Sequence, residues 1–288
     1  MHPGIADLLS LLQLEQLEVN LFRGASRDVG SPQVFGGQVL GQALTAASAT
    51  IEGRVVHSLH AYFLRRGDFN APIVYQVDRS LDGHSFANRR VVAIQHGAQI
   101  FNMAASFQAP EDGLDHQIDM PTVPQPEELP DLSSPPPEVV RHMTERLQQF
   151  FAQPRPFMFR TVQHGAEQNS RDPCRQVWFK AFGELPDDEA LHRCLLAYAS
   201  DFFLLGTSLV PHDPAKLEAR LIMASVDHAM WFHRPLRVDD WLLYDMRSPS
   251  ASGARGFAQA GVFARDGRLV ATIAQEGLVR VKRGREPV

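Results

Sequence analysis

A seven-residue echo constrains this chain more than any other feature. His60-Ala-Tyr-Phe-Leu-Arg-Arg66 and His228-Ala-Met-Trp-Phe-His-Arg234 each lead from a His-Ala pair through large apolar residues to an Arg. Two further echoes follow in the same order at a near-constant offset. Pro72-Ile-Val-Tyr75 is answered by Asp240-Trp-Leu-Leu-Tyr244, and His96-Gly97 by Asp266-Gly267. Three ordered echoes imply a duplicated unit, and place His60 and His228 at equivalent positions. The copies differ most where polar residues enter the second one, so function is sought there.

Each copy reads as a helix followed by a meander of strands. Ile5 to Phe22 is leucine-rich and reads as an amphipathic helix, or as a helix followed by a short strand. Gly36-Gly37 opens a helix near Gln38, kept thin by Gly41, Ala43, Ala46 and Ala47. Strands are expected at Val55–Tyr62, Ile73–Asp78, Ser85–Gln95 and Gln99–Ser106, bounded by Gly- and Asp-containing turns. Eight prolines between Pro110 and Pro137 mark an extended connector, with a short helix expected at Glu138–Phe151.

In the second copy, strands are expected at Thr161–Ala166 and Arg175–Ala181. A helix capped by Leu185-Pro-Asp-Asp-Glu189 covers Ala190 to Leu205. Strands follow at Arg220–Val226, Ala229–His233, Trp241–Ser248, Arg255–Ala264 and Leu269–Glu276. The fold class is α+β, a helix on one face of a curved antiparallel sheet, twice.

Charge and composition exclude several functions. A net charge of −5 with scattered basic residues argues against a nucleic-acid partner; Lys-Arg-Gly-Arg at 282–285 reads as a solvated tail. No apolar run approaches the ~20 residues that span a bilayer, so no membrane partner is expected. Cys174 and Cys194 have no metal spacing and read as buried thiols of a reducing compartment, the cytoplasm. The nucleophile elbow, the zinc motifs and the phosphate loop are absent, so neither metal nor cofactor is expected.

Three polar residues in apolar segments remain. Asp201 lies within Leu195-Leu-Ala-Tyr-Ala-Ser-Asp-Phe-Phe203, where a carboxylate is either paired structurally or held for catalysis. Ser225 interrupts Ile222-Met-Ala-Ser-Val226, and Gln275 closes an apolar strand. Asp227 and His228 lie close by, yet neighbours on a strand point to opposite faces, so they cannot both face the Ser225 side. His57, His60 and His228 are the available imidazoles.

These residues sit in motifs that resemble the acyl-CoA thioesterase II family. The resemblance runs from the leucine-rich helix to Gly277. It rests on Phe35-Gly-Gly-Gln38, Val56-His-Ser-Leu-His-Ala-Tyr-Phe-Leu64, Asp82-Gly-His-Ser-Phe86 and Ala105-Ser-Phe-Gln108. In the second half it rests on Ala199-Ser-Asp201, Val226-Asp-His-Ala-Met-Trp-Phe-His-Arg-Pro235, Ala251-Ser-Gly-Ala-Arg-Gly-Phe257 and Gln275-Glu-Gly277.

The resemblance implies two tandem hotdog domains, at 1–110 and 151–288, joined by a proline-rich linker at 111–150. It implies an acyl-CoA substrate, hydrolysis to fatty acid and CoA, and a homo-oligomer, dimer or tetramer. Its catalytic residues fall on Asp201, Ser225 and Gln275; many bacterial members carry Thr at the middle position. Phe202, Phe203, Met230 and Trp231 are candidate acyl-tunnel walls, and Arg255 or Lys282-Arg283 candidate CoA-phosphate contacts. A non-catalytic acyl-CoA-binding regulator and a hotdog hydratase using His57, His60 or His228 are the alternatives.

Overall fold

A computed structural model describes residues 1–30, 33–131, 141, 154–162, 172–212 and 221–281. Helix α1 (Pro3–Leu12) leads into two short strands, β1 (Glu15–Glu18) and β2 (Leu21–Gly24), so the leucine-rich segment is one helix and a small hairpin. Proline at its first turn and the His2 ring, accepting from Gly4 N, start α1. Helix α2 (Gly36–Ser48) precedes β3 (Val55–Phe63), β4 (Ile73–Asp82), β5 (Phe86–Gln95) and β6 (Ala98–Gln108). After the connector come β7 (Phe157–Thr161), β8 (Cys174–Ala181), α3 (Glu189–Ser200) and β9 (Leu221–Ser225). The chain continues through β10 (Asp227–Phe232), β11 (Leu242–Ser252), β12 (Arg255–Ala264) and β13 (Leu269–Val281). The helix expected at 138–151 falls outside the described residues apart from residue 141, as does 163–166 of one expected strand.

All the strands join one antiparallel sheet, in the order β1-β2-β4-β5-β6-β3-β10-β13-β12-β11-β8-β7, with β9 pairing the far end of β13. The order repeats itself outward from the β3–β10 seam, where His60 faces Ala229 and Leu59 faces Met230. Helices α2 and α3 lie side by side beneath the sheet. Gly37 abuts Tyr198 O and Gly41 abuts Cys194 O, so the two run in opposite directions. The small residues of α2 thus serve the neighbouring helix as much as the sheet. A continuous core of α1, α2, α3 and the inner sheet face encloses Leu40, Leu44, Leu59, Phe101, Leu195 and Met230. Two buried tyrosines link sheet to helices: Tyr75 donates to Gln42 Oε1 and Tyr244 to Ser200 O, each at 2.7 Å.

The structure corrects the register of the repeat by one residue. Leu64 N and Arg65 N donate to Ile100 O, and in the second half His233 N and Arg234 N donate to Val270 O. Leu64 therefore matches His233, so His60 matches Ala229 and His228 matches Leu59. A slip of one residue exchanges the two faces of a strand. Accordingly His60 is exposed while His228 is wholly buried.

The described part of the connector, to residue 131, is largely extended, with one 3-10 turn at Pro126–Glu128, and it is docked rather than free. Met120, Val123 and Leu129 pack on Trp178, Trp241, Leu243 and Phe263 across the outer face of the second half. The Trp178 indole donates to Pro124 O, and Arg160 donates to Pro126 O and Leu129 O.

Candidate functional site

The three polar residues picked out in the sequence come together. Asp201 is not in the interior of a helix. Helix α3 is capped by Asp188, whose side chain accepts from Leu191 N, and stops at Ser200, leaving Asp201 as the C-terminal cap. Its carboxylate faces the first turn of α2, where Gly37 N donates to Oδ2 at 3.0 Å. The approach requires glycine. A Cβ on Gly36 would lie 2.7 Å from Asp201 Oδ2, and one on Gly37 2.2 Å from Tyr198 O.

Ser225 and Gln275 arrive from the sheet. Strand β13 pairs with β10 up to Ala274 and with β9 from Gly277 onward, so Gln275 stands where it changes partners. Ser225, the last residue of β9, faces Gly277. Gln275 Nε2 donates to Asp201 Oδ1 at 2.8 Å and to Ser225 Oγ at 3.0 Å. Ser225 Oγ in turn donates to Asp201 Oδ1 over a longer 3.4 Å. Gln275 is fully buried, and its backbone neighbours are fixed by the ladder. It is therefore a rigid donor rather than a mobile one.

Burial raises the Asp201 pKa to about 6, against the opposing pull of Gln275, the Gly37 N–H and Ser225. A carboxylate with that pKa is largely ionised at neutral pH yet holds a proton more readily than an ordinary aspartate. This combination suits a general base.

Two clefts open on the cluster and share Gln33, Val34, Gly36, Ala224 and Ser225. One, of about 240 Å³, runs past Phe63 and Ile100 to Arg65 and Arg66. The other, of about 280 Å³, is lined by Asp201, Phe35, Phe203, Leu205 and Met223. Phe203 has a positive φ of 66°, a conformation that a bulky side chain rarely adopts. Backbone strain of this kind recurs at functional sites.

Several expectations need correction. Of the proposed tunnel walls, only Phe203 lines either cleft. Phe202 packs among Phe35, Tyr198 and Phe159. Met230 is core, and Trp231 stands edge-on to His60. Arg255 is tied to Glu276 at 2.8 Å, and residues 282–283 lie outside the described residues. No histidine lines either cleft among the described residues: His57 bonds Ser106 at 2.8 Å, and His60 lies on the opposite face. Asp227 accepts from Glu276 N.

His228 plays a part that the sequence did not expose. Its Nε2 lies 2.9 Å from Ser200 Oγ, and burial pushes its pKa down to about 3, keeping the ring neutral. With Tyr244 on Ser200 O, the residue before Asp201 is held through both side chain and carbonyl. Gly36 and Gly37 were visible as a close-approach pair, but the partner they approach comes from the other half of the chain.

Comparison with known proteins finds relatives along nearly the whole chain. Residues 143–278 match the acyl-CoA thioesterase family, and residues 25–108 match the acyl-CoA thioesterase N-terminal domain. Acyl-CoA thioesterase 2 of Haemophilus influenzae is 44% identical over 283 residues, covering 97% of this chain and 99% of its own. Human acyl-coenzyme A thioesterase 8 is 41% identical, covering 95% of this chain and 88% of its own. The crystal structure of acyl-CoA thioesterase II TesB2 from Mycobacterium marinum superposes with a TM-score of 0.80 at 43% identity. It covers 96% of this chain, which spans 98% of that one. A protein from Alicyclobacillus acidocaldarius described as having a hot dog fold superposes at 0.77 with 19% identity, a likeness of fold alone. The chain belongs to the acyl-CoA thioesterase family.

Proposed function

We propose that this protein hydrolyses acyl-CoA thioesters to free fatty acid and CoA at the Asp201–Ser225–Gln275 cluster. Family membership supports the activity. One observation carries the site: a desolvated carboxylate lining one cleft beside its junction with a second, bonded by Gln275, Ser225 and the Gly37 N–H.

In this reading a water hydrogen-bonded to Asp201 and Ser225 attacks the thioester carbonyl carbon, and Asp201 takes the proton as the C–O bond forms. The carbonyl oxygen becomes an oxyanion beside the first turn of α2. There Gly36 N–H is one of the donors that no carbonyl of the helix can satisfy. Collapse breaks the C–S bond, and the proton on Asp201 passes to the departing thiolate. Gln275 holds Asp201 Oδ1 and Ser225 Oγ in fixed relation throughout. Ser225 is a positioning donor rather than a nucleophile, since no imidazole lies within bonding distance of it among the described residues.

We also read the chain as two tandem hotdog domains, 1–110 and 151–288, with 111–150 between them. The repeated strand order supports that division. The site then takes its helix N-terminus from one domain and its three polar side chains from the other.

Thiol release from a panel of acyl-CoAs of rising chain length, with wild type beside Asp201→Asn, tests the function. Steady release by wild type and its loss in the variant are expected. Binding of acyl-CoA without release by wild type would instead mark a non-catalytic binding protein.

A further inference from the structure

We propose that Arg65 and Arg66 receive the phosphates of CoA, so that substrate lies with its nucleotide end along the β3–β4 turn. Its acyl chain then occupies the cleft of Phe203, Leu205 and Met223. The proposal rests on the thioesterase reading and adds a direction to it.

Three observations carry it. The two clefts share Gln33, Val34, Gly36, Ala224 and Ser225, so a thioester held there has one cleft open to each of its ends. Their linings are chemically opposite. The first presents two guanidiniums and no carboxylate, in a chain whose net charge is −5. The second has aromatic and aliphatic walls, no Lys or Arg, and Asp201 as its one charged group. A polyanion placed in the second cleft would meet the Asp201 carboxylate; placed in the first, it meets only cations.

The state of the two arginines fits the same task. Both are exposed at the cleft rim. Arg65 is steadied by one bond from Nη1 to Gln99 O at 2.6 Å. Arg66 has no hydrogen bond or ion pair among the described residues, so its planar fork is free for a phosphate. In the second half, Arg255 is paired with Glu276 and Arg234 with Asp115. Arg175, whose Nη1 lies 3.5 Å from the Cβ position of Gly206, is a cation beside the second cleft and defines the opposite orientation.

The test compares acyl-CoA with the matching acyl-N-acetylcysteamine thioester, which keeps the reacting bond and lacks every phosphate. For Arg65→Ala/Arg66→Ala the proposal expects KM for acyl-CoA to rise at least tenfold, with kcat altered less than threefold. The preference for acyl-CoA over the phosphate-free thioester, as a ratio of kcat/KM, should fall by a similar factor. Added salt should raise KM in wild type and do so much less in the double variant. Met223→Trp should shift preference toward shorter acyl chains. An unchanged KM in the double variant overturns the proposal, as does a KM that rises instead in Arg175→Ala. If wild type releases no thiol from either substrate, the thioesterase reading itself has failed, which is a separate result.

Discussion

The two ends of the α2–α3 pair are built on the same backbone plan and differ in chemistry. At one end the C-cap of α3, Asp201, meets the start of α2, with Ser225 and Gln275 beside it. At the other, the C-cap of α2 is Ala49. Val56 faces Phe107 as Ser225 faces Gly277, and Ala105 holds on β6 the place that Gln275 holds on β13. Every polar member of the cluster has an apolar counterpart. The counterpart end is also filled: Arg193 of α3 donates to Val56 O, pairs with Glu189 and lies over the Phe232 ring. A cleft of about 450 Å³ beside the start of α3 is lined by Asp187, Glu189, His192 and Arg237. The fold therefore offers two equivalent places and furnishes one, and the furnished site draws on both halves.

Converting each polar residue to its counterpart tests that contrast. Asp201→Ala should have the largest effect, a fall in kcat of about 10³-fold or more, within the range for losing a general base. Circular dichroism should remain that of wild type. Ser225→Val and Gln275→Ala should each cost about 10- to 100-fold, the value of a hydrogen bond to a charged group. Ser225→Thr, which keeps the hydroxyl, should stay within a few-fold of wild type.

The opposite substitution probes the filled end. Arg193→Ala should lower unfolding stability by about 2–4 kcal/mol in urea titration, because it removes a buried, hydrogen-bonded cation. The kcat of the folded variant should change less than twofold. The smallest effect is expected from Ala49→Asp placed in the Asp201→Ala background. Ala49 is exposed, so stability should move by under about 0.5 kcal/mol. No activity should return, since Val56 and Ala105 supply no donors. Restored turnover would show that the two ends are chemically closer than the residues suggest.

Much of this was legible in the sequence, and what was not has identifiable causes. Alternation and turn residues located the strands of both meanders to within a few positions. Asp201, Ser225 and Gln275 were visible because each interrupts an apolar segment. The register of the echo was not visible. Both the aligned and the slipped arrangement set apolar residues against apolar ones, and only the bonds to Ile100 O and Val270 O decide between them. The end of α3 at Ser200 was missed because Asp201-Phe-Phe-Leu-Leu205 is as apolar as a helix interior. The left-handed turn at Phe203 has no glycine to announce it. Arg65 and Arg66 passed as turn residues, since nothing local shows that a cleft forms beside them. The contact between Gly37 and Asp201, 164 positions apart, is a tertiary fact that no local pattern encodes.

The pH dependence of kcat/KM tests the central claim most directly. Asp201 must be ionised to act as base, and burial places its pKa at about 6. Rates in wild type should therefore fall as pH drops through that value, reporting the free enzyme's base. Gln275 and Ser225 oppose the raised pKa by donating to the carboxylate. Removing the donor in Gln275→Ala should therefore move the acid limb to higher pH, and the residual activity of Asp201→Asn should lack the limb. A limb at the same pH in wild type and Gln275→Ala, or one that persists in Asp201→Asn, would contradict the account.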